Sequence, residues 1–312
     1  SIVPMLDEST QKAFEENRTH LLSVAYRLTG SIADAEDAVQ DAWLRLAGAD
    51  VSEVRDLRAW LTTVVGRLCL DRLRSAAVRR ETYMGQWLPE PIVAPLGSPA
   101  PPDPLDEIVR DEDNRLAALV VLDSLTPAQR IAFVLHDAFD IPFDDIARIL
   151  DVATPTARQL ASRARRTVST VPPPSSPAEH EEAVGRLVAA FAGADLDAVV
   201  AALHPDARMI GDAGGTTRTA LNVVVGAEKV ARFILGLLRL YGAEALTAFE
   251  PVLVNGELGL LNRGRPAENG RPGFPPRVTA WTVRDGRIWA AYDIANPEKL
   301  RRGVLLPDGI FD

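Results

Sequence analysis

Two proline clusters constrain this chain more than any other feature, because they forbid helix in a sequence that otherwise invites it. Between residues 81 and 113 stand Pro89, Pro91, Pro95, Pro99, Pro101, Pro102 and Pro104. Each removes a backbone donor and fixes φ, so the stretch is expected to be a largely extended linker. Within it YMGQWLPEP, residues 83–91, is too apolar for a passive tether and is expected to dock on something. A second break, VPPPSSP, covers residues 171–177. The expected divisions are a helical domain over 1–80, an acidic linker over 81–113, a second helical domain over 114–170, a short linker over 171–177 and a last domain over 178–312. A chain of 312 residues has ample length for such a division.

Apolar residues make up 47% of the chain and charged residues 25%, ordinary globular values. No apolar run approaches the roughly 18 residues of a membrane span. The opening SIVPMLDESTQK lacks the basic and apolar regions of a signal peptide, so a cytoplasmic location is expected. Cys69, alone among Val65, Leu68 and Leu70, reads as a buried inert thiol. One cysteine and four scattered histidines offer no zinc pattern, and no metal or cofactor is expected. The net charge of −9 argues against indiscriminate coating of nucleic acid. Its distribution is blocked. Residues 55–80 carry seven Arg against Asp56 and Asp71, residues 81–113 carry eight acids against Arg110, and residues 158–166 hold four Arg and no acid. Contact with DNA is therefore expected only at defined places.

Residues 142–167 read as two short helices joined by a tight turn. Ile146, Ala147, Ile149 and Leu150 form the apolar patch of the first, and residues 151–153 break the pattern. Thr154 suits the N-cap of the second helix and Pro155 its first position. Ala157, Leu160, Ala161 and Ala164 recur at helical spacing and should face inward, leaving Thr156, Arg158, Gln159, Ser162, Arg163, Arg165 and Arg166 outward. In a helix-turn-helix the second helix enters the DNA major groove, where Arg pairs with guanine, Gln with adenine and Ser or Thr with base or phosphate. An ordinary amphipathic hairpin with a solvated basic face explains the same pattern.

Earlier helices are expected over residues 11–30, over 31–46 behind a Ser31/Asp34 cap, and over 57–75. Asp34, Asp37 and Asp41 line one face of the second, which a solvated acidic surface would also explain. Further helices run from Leu116 to Leu125 and again behind Thr126-Pro127. After residue 177 two helices lead into short strands at 207–210, 219–225, 246–254, 258–262, 277–284 and 287–293, interrupted by a helix over 227–240. Asp285-Gly286 is a strong hairpin turn. Helices packed on one curved antiparallel sheet make an α+β domain.

With these motifs placed, residues 18–167 resemble the extracytoplasmic-function sigma factors of bacterial RNA polymerase. The blocks that carry the resemblance are AYRLTGSIADAEDAVQDAWLRL (25–46), DLRAWLTTVVGRLCLDRLRS (56–75), LTPAQRIAFVLHDAFDIPFDDIARIL (125–150) and TPTARQLASRARR (154–166). WLPEP (87–91) and NPEKL (296–300) look like signatures of the subgroup with a fused C-terminal SnoaL-like domain, the sigma-J type. That subgroup's Asp-Gly-Gly-Gly stretch reads Asp212-Ala213-Gly214-Gly215 here, so Ala213 departs from the pattern. The resemblance implies two all-α domains, the second with the helix-turn-helix, followed by a cone-shaped α+β barrel. It further implies that Asp34, Asp37, Asp41 and Trp43 lie at the contact with core RNA polymerase. Arg55, Arg58, Arg67 and Arg74 would serve the −10 promoter element. Thr156, Arg158, Gln159, Ser162, Arg163 and Arg166 would read the −35 element. The implied protein is a monomer that directs promoter-specific transcription initiation, binds promoter duplex weakly by itself, and is not an enzyme.

Three roles are open for the last domain. It can regulate intramolecularly, through a contact between Trp87, Leu88 and Pro89 on one side and Asn296, Pro297 and Lys299 on the other. It can sense a small molecule, with His204, Asp212, Trp281, Trp289 and Tyr292, beside Asp293, as candidate pocket residues. It can also be a catalyst, although no motif assembles a base with an enolate-stabilising donor. A rival for the whole chain is a one-component, ligand-responsive helix-turn-helix regulator, which would leave residues 31–75 without a purpose.

Overall fold

A computed structural model of the chain describes residues 8–49, 54–97, 105, 108, 114–242, 248–268, 270–306 and 309. Residues 50–53, between the second and third helices, and most of the acidic stretch 98–113 of the first linker lie outside the described residues. Two compact units emerge, one drawn from Ser1–Glu81, Pro102–Ile108 and Ala118–Val171, the other from Thr82–Pro101, Val109–Ala117 and Pro172–Asp312.

The first unit is helical. Its elements are α1 (Glu8–Thr29), α2 (Ile32–Ala47), α3 (Leu57–Arg80), α4 (Leu116–Asp123), α5 (Pro127–Asp137), α6 (Phe143–Leu150) and α7 (Thr154–Val168). Ser31 caps α2 by accepting from the Asp34 N–H at 3.2 Å, and Thr126 with Gln129 forms a reciprocal capping box at α5. Tyr26, Leu28, Leu61, Val65, Ile131 and Leu135 are fully buried. Gly66 marks the tightest approach: a Cβ there would lie 2.9 Å from Leu135 Cδ1 and 3.4 Å from Ile149 Cδ1, so α3 packs closely on α5 and α6. Arg130, 2% exposed, donates to the Leu28 carbonyl at 3.0 Å and to Asp123 at 2.7 Å. Arg80 reaches the same carboxylate, so one half-buried acid ties α3, α4 and α5 together. Cys69 is buried, and burial pushes its thiol pKa up, away from the reactive thiolate.

The α6–α7 turn departs from the sequence expectation in one detail. Asp151 takes the left-handed conformation (φ 55°) that ends α6, and α7 begins at Thr154 with Ala153 as N-cap. Pro155 then stands second in the helix. The Thr154 hydroxyl is not a cap, because it donates to the Asp144 carboxylate at 2.7 Å.

The second unit contains β1 (Val93–Pro95), α8 (Pro177–Ala192), α9 (Leu196–Ala202), β2 (Leu203–Asp212), β3 (Val224–Val225), α10 (Ala227–Tyr241), β4 (Phe249–Val254), β5 (Glu257–Asn262), β6 (Arg277–Arg284) and β7 (Arg287–Ile294). One sheet runs in the order β1-β4-β5-β6-β7-β2-β3. It is mixed and not wholly antiparallel as expected, since β2 pairs with β7 in parallel. Such a pair needs a long connection, and the whole of residues 213–286 supplies it. The hairpin at Asp285-Gly286 is present, both residues having positive φ (52° and 67°). Asn255-Gly256 makes an equivalent turn between β4 and β5 (φ 49° and 85°). The strand expected over 219–225 shrinks to Val224–Val225, because Thr219 is drawn away to donate to Asp293 at 2.8 Å. The first two residues of the strand expected over 246–254 lie outside the described residues.

Part of the proline-rich linker belongs to this unit. Val93–Pro95 pairs with Val252–Val254 of β4. On its other side the Val93 N–H donates to Gly303 O at 2.6 Å and Val93 O accepts from the Leu305 N–H at 2.8 Å. Leu88, Ile92 and Val93 are fully buried.

Candidate functional site

Strand parity decides which side chains can meet in the second unit. Successive residues of a strand point to opposite faces of the sheet. Thr279 pairs with Asp293 and Trp281 with Ala291, so Arg277, Thr279, Trp281, Ala291 and Asp293 share one face and line a cavity beneath α8 and α10. Tyr292, paired with Ala280, points the other way; its hydroxyl lies 3.2 Å from that of Thr282, and burial pushes its pKa up to about 12. Trp289 is the extra residue between the Thr282–Ala290 and Val283–Ile288 pairs, and this bulge leaves its ring beneath Arg208, 4.4 Å away. His204 lies at the start of β2, 3.8 Å from Asp285. Of the five residues expected around a pocket Trp281 lines the cavity, as does Asp293, which was expected beside them.

Asp212, the fifth, builds something else. It is wholly buried at the end of β2, on the face opposite the cavity. Its carboxylate accepts from Tyr83 Oη, from the Leu88 N–H at 2.8 Å and from the Gly214 N–H at 3.2 Å. Lys299 donates to it at 2.5 Å and also to the Leu88 carbonyl, while its ammonium lies 3.9 Å from the Trp87 ring centroid. Asn296 donates to Tyr83 Oη at 2.8 Å. One buried carboxylate thus gathers the linker residues Tyr83, Trp87 and Leu88 with Asn296 and Lys299. Burial and the Asp212 carboxylate push the Tyr83 pKa up, so its hydroxyl stays a donor. Tyr83 was not singled out from sequence, although it opens the apolar stretch that was expected to dock.

The departure at Ala213 is harmless to this arrangement. Only Gly214 (φ 56°) and Gly215 (φ 77°) adopt left-handed backbone, and a Cβ on Gly214 would meet Asn296 Nδ2 at 2.8 Å.

In the first unit Thr156, Arg158, Gln159, Ser162, Arg163 and Arg166 are all exposed along α7. Arg165 instead forks onto Asp137 at 2.5 and 2.7 Å and pins α7 to α5. Arg55, Arg58, Arg67 and Arg74 are exposed too. Arg58 donates to His20 Nδ1 at 2.8 Å, and His20 Nε2 lies 3.0 Å from Thr62 Oγ1. Because Thr62 gives its own proton to the Arg58 carbonyl, the ring is the neutral Nε2–H tautomer. Burial, with help from Arg58, lowers the His20 pKa to about 4.

The acidic face of α2 is not simply solvated. Arg72 of α3 lies 2.7 Å from Asp41 and 3.7 Å from both Asp34 and Asp37. Trp43 packs edge-on against Phe14 at 4.9 Å between ring centroids.

Comparison with known proteins matches Sigma-70 region 2 to residues 13–79, Sigma-70 region 4 to 115–168 and a SnoaL-like domain to 184–291. The chain is 55% identical over 290 residues to the ECF RNA polymerase sigma factor SigJ of Mycobacterium tuberculosis, covering 92% of this chain and 91% of that one. It is 38% identical over 228 residues to the probable ECF RNA polymerase sigma factor SigI of the same species, covering 72% and 75%. The crystal structure of M. tuberculosis SigJ superposes with a TM-score of 0.81 at 51% identity, over 95% of this chain and 99% of that one. The helical segments that begin the chain, the mixed-sheet domain that ends it and this likeness along nearly its whole length place the protein among the extracytoplasmic-function RNA polymerase sigma factors.

Proposed function

We propose that the protein binds core RNA polymerase, directs it to promoters of defined sequence, and has that activity set by its own C-terminal domain. The observation that carries the regulatory part is the Asp212 cluster, through which the segment joining the two sigma regions is built into the C-terminal unit. In this reading α6 and α7 form the helix-turn-helix, and Thr156, Arg158, Gln159, Ser162, Arg163 and Arg166 meet the −35 element. Arg55, Arg58, Arg67 and Arg74 serve the −10 element. The Asp34, Asp37, Asp41 and Trp43 face meets the polymerase, with Arg72 holding the three acids in place. Trp87, Leu88, Pro89, Asn296, Pro297 and Lys299 make the regulatory contact. The protein acts as a monomer in the cytoplasm, where its polymerase is.

Pull-down with purified core polymerase, followed by transcription from genomic promoters, tests the first part; failure of recruitment ends it. For the second part, Lys299→Met in the full chain should change polymerase affinity or promoter output at least severalfold. Unchanged values with a folded variant end the regulatory reading. Deleting everything after Thr170 is a harsher test, because it uncovers Leu88, Ile92 and Val93.

A second reading, small-molecule sensing by the C-terminal domain, is favoured by one observation: a cavity of about 540 Å³ beneath α8 and α10. That volume lies in the range of ligand sites, roughly 300–1,000 Å³.

A further inference from the structure

The cavity wall is apolar over most of its extent, with Phe191, Met209, Ile234, Leu238, Phe249 and Trp281 among its residues. Set into it is a cation. Arg277 of β6 is 3% exposed, and its guanidinium carbon lies 4.2 Å from the Phe274 ring centroid. Nη1 donates to Asp293 Oδ2 at 3.1 Å, the oxygen that also accepts from the Thr219 hydroxyl at 2.8 Å. Nε and Nη2 are buried, and among the described residues no group accepts from either.

These two nitrogens form one edge of the guanidinium plane, with parallel N–H groups spaced to grip both oxygens of a carboxylate. The chain uses this edge elsewhere: Nε and Nη2 of Arg165 hold the two oxygens of Asp137 at 2.5 and 2.7 Å. A buried charged donor without an acceptor is costly, so a site built this way is matched to an occupant that supplies oxygen. Asp293 saturates only the other side of Arg277, and the Thr219 hydroxyl disperses part of its charge.

We propose that the cavity binds an amphipathic carboxylate. Its two oxygens sit on the Nε/Nη2 edge of Arg277, and its aromatic or aliphatic body lies against Trp281, Phe249 and Ile234. This rests on the sensing reading of the domain and names the chemistry of what is sensed. Two features separate a carboxylate from a neutral ligand of the same shape. The paired donors reward two acceptors at fixed spacing, and the low-dielectric wall strengthens the attraction between guanidinium and anion.

Isothermal titration of the full chain with 2-naphthoate and with 2-naphthalenemethanol, its neutral counterpart, tests the assignment. The acid should bind at least tenfold more tightly than the alcohol. Arg277→Met combined with Asp293→Asn, which orphans no buried carboxylate, should abolish that preference while the alcohol still binds. Ile234→Trp, which fills the cavity without touching the ion pair, should weaken both probes at least tenfold and serves if the double variant does not fold. Equal affinity of the wild-type chain for acid and alcohol overturns the carboxylate assignment and leaves the sensing reading standing. Acid binding that survives Ile234→Trp unchanged overturns the location. No binding of either probe at millimolar concentration overturns both.

Discussion

Asp212 and Lys299 form a buried pair, 0% and 6% exposed at the side chain, with partners as far as 211 residues away along the chain. Removing one member of such a pair leaves a charge uncompensated, which costs about 3–5 kcal/mol. Lys299→Met should therefore lower the unfolding free energy of the full chain by that order in urea. Adding Asp212→Leu should recover part of the loss, a coupling read by the double-mutant cycle. His20 carries a pH prediction of definite sign. Its pKa is about 4 when folded, below the ordinary 6.5, so the unfolded chain binds more protons between those values. Stability from this residue is fully present above pH 6.5 and is lost as pH falls toward 4. The thermal midpoint of the wild-type chain should drop more over this range than that of His20→Gln, where no ring nitrogen titrates. From the sequence Asp212 was legible as an important acid but not as one turned from the cavity, since its face depends on the parallel pairing with β7. Arg277 was readable in principle, standing in step with Thr279 and Trp281. Choosing its face, however, required knowing where α8 and α10 lie.

At the scale of elements, α7 separates two kinds of arginine. Arg163→Ala removes an exposed group; if it meets a base of the −35 element as proposed, that contact is worth about 1–3 kcal/mol. Transcription from a cognate promoter should fall roughly tenfold or more while the melting temperature stays unchanged. Arg165→Ala should do the reverse, costing up to about 1 kcal/mol of stability through loss of the partly exposed Asp137 fork and leaving promoter choice intact. In the sheet, Gly211 faces Thr219 so closely that an added Cβ would lie 2.0 Å from Oγ1 and 2.8 Å from the Ala220 N. Gly211→Ala should destabilise by about 1–3 kcal/mol, measured in urea. Helices were the most legible elements, since caps such as Ser31 and Thr126 and long apolar periodicities are local signals. The sheet was less so. A strand's partner and direction are long-range facts, and the β2–β7 pairing has no local signature.

At the scale of the molecule, the boundaries read from proline content describe where helix must stop, but they do not describe which residues fold together. Prolines at 89, 91 and 95 kept residues 82–97 out of any helix and left them free to be extended. Extended chain is what a sheet can accept, and β1 lies between β4 and residues 303–305. If the Asp212 cluster holds this segment in place, Lys299→Met should also hasten protease cleavage within 82–97 relative to wild type, followed by mass spectrometry. The interlacing has an evolutionary corollary. A recombination event joining a foreign gene to this one at codon 171 would inherit a C-terminal body missing a rib of its own sheet. The donor half would carry that rib with nowhere to put it. No single crossover separates the two units, since one at codon 82 divides the helical unit instead, so the parts of this gene should be inherited together far more often than their order along the chain suggests.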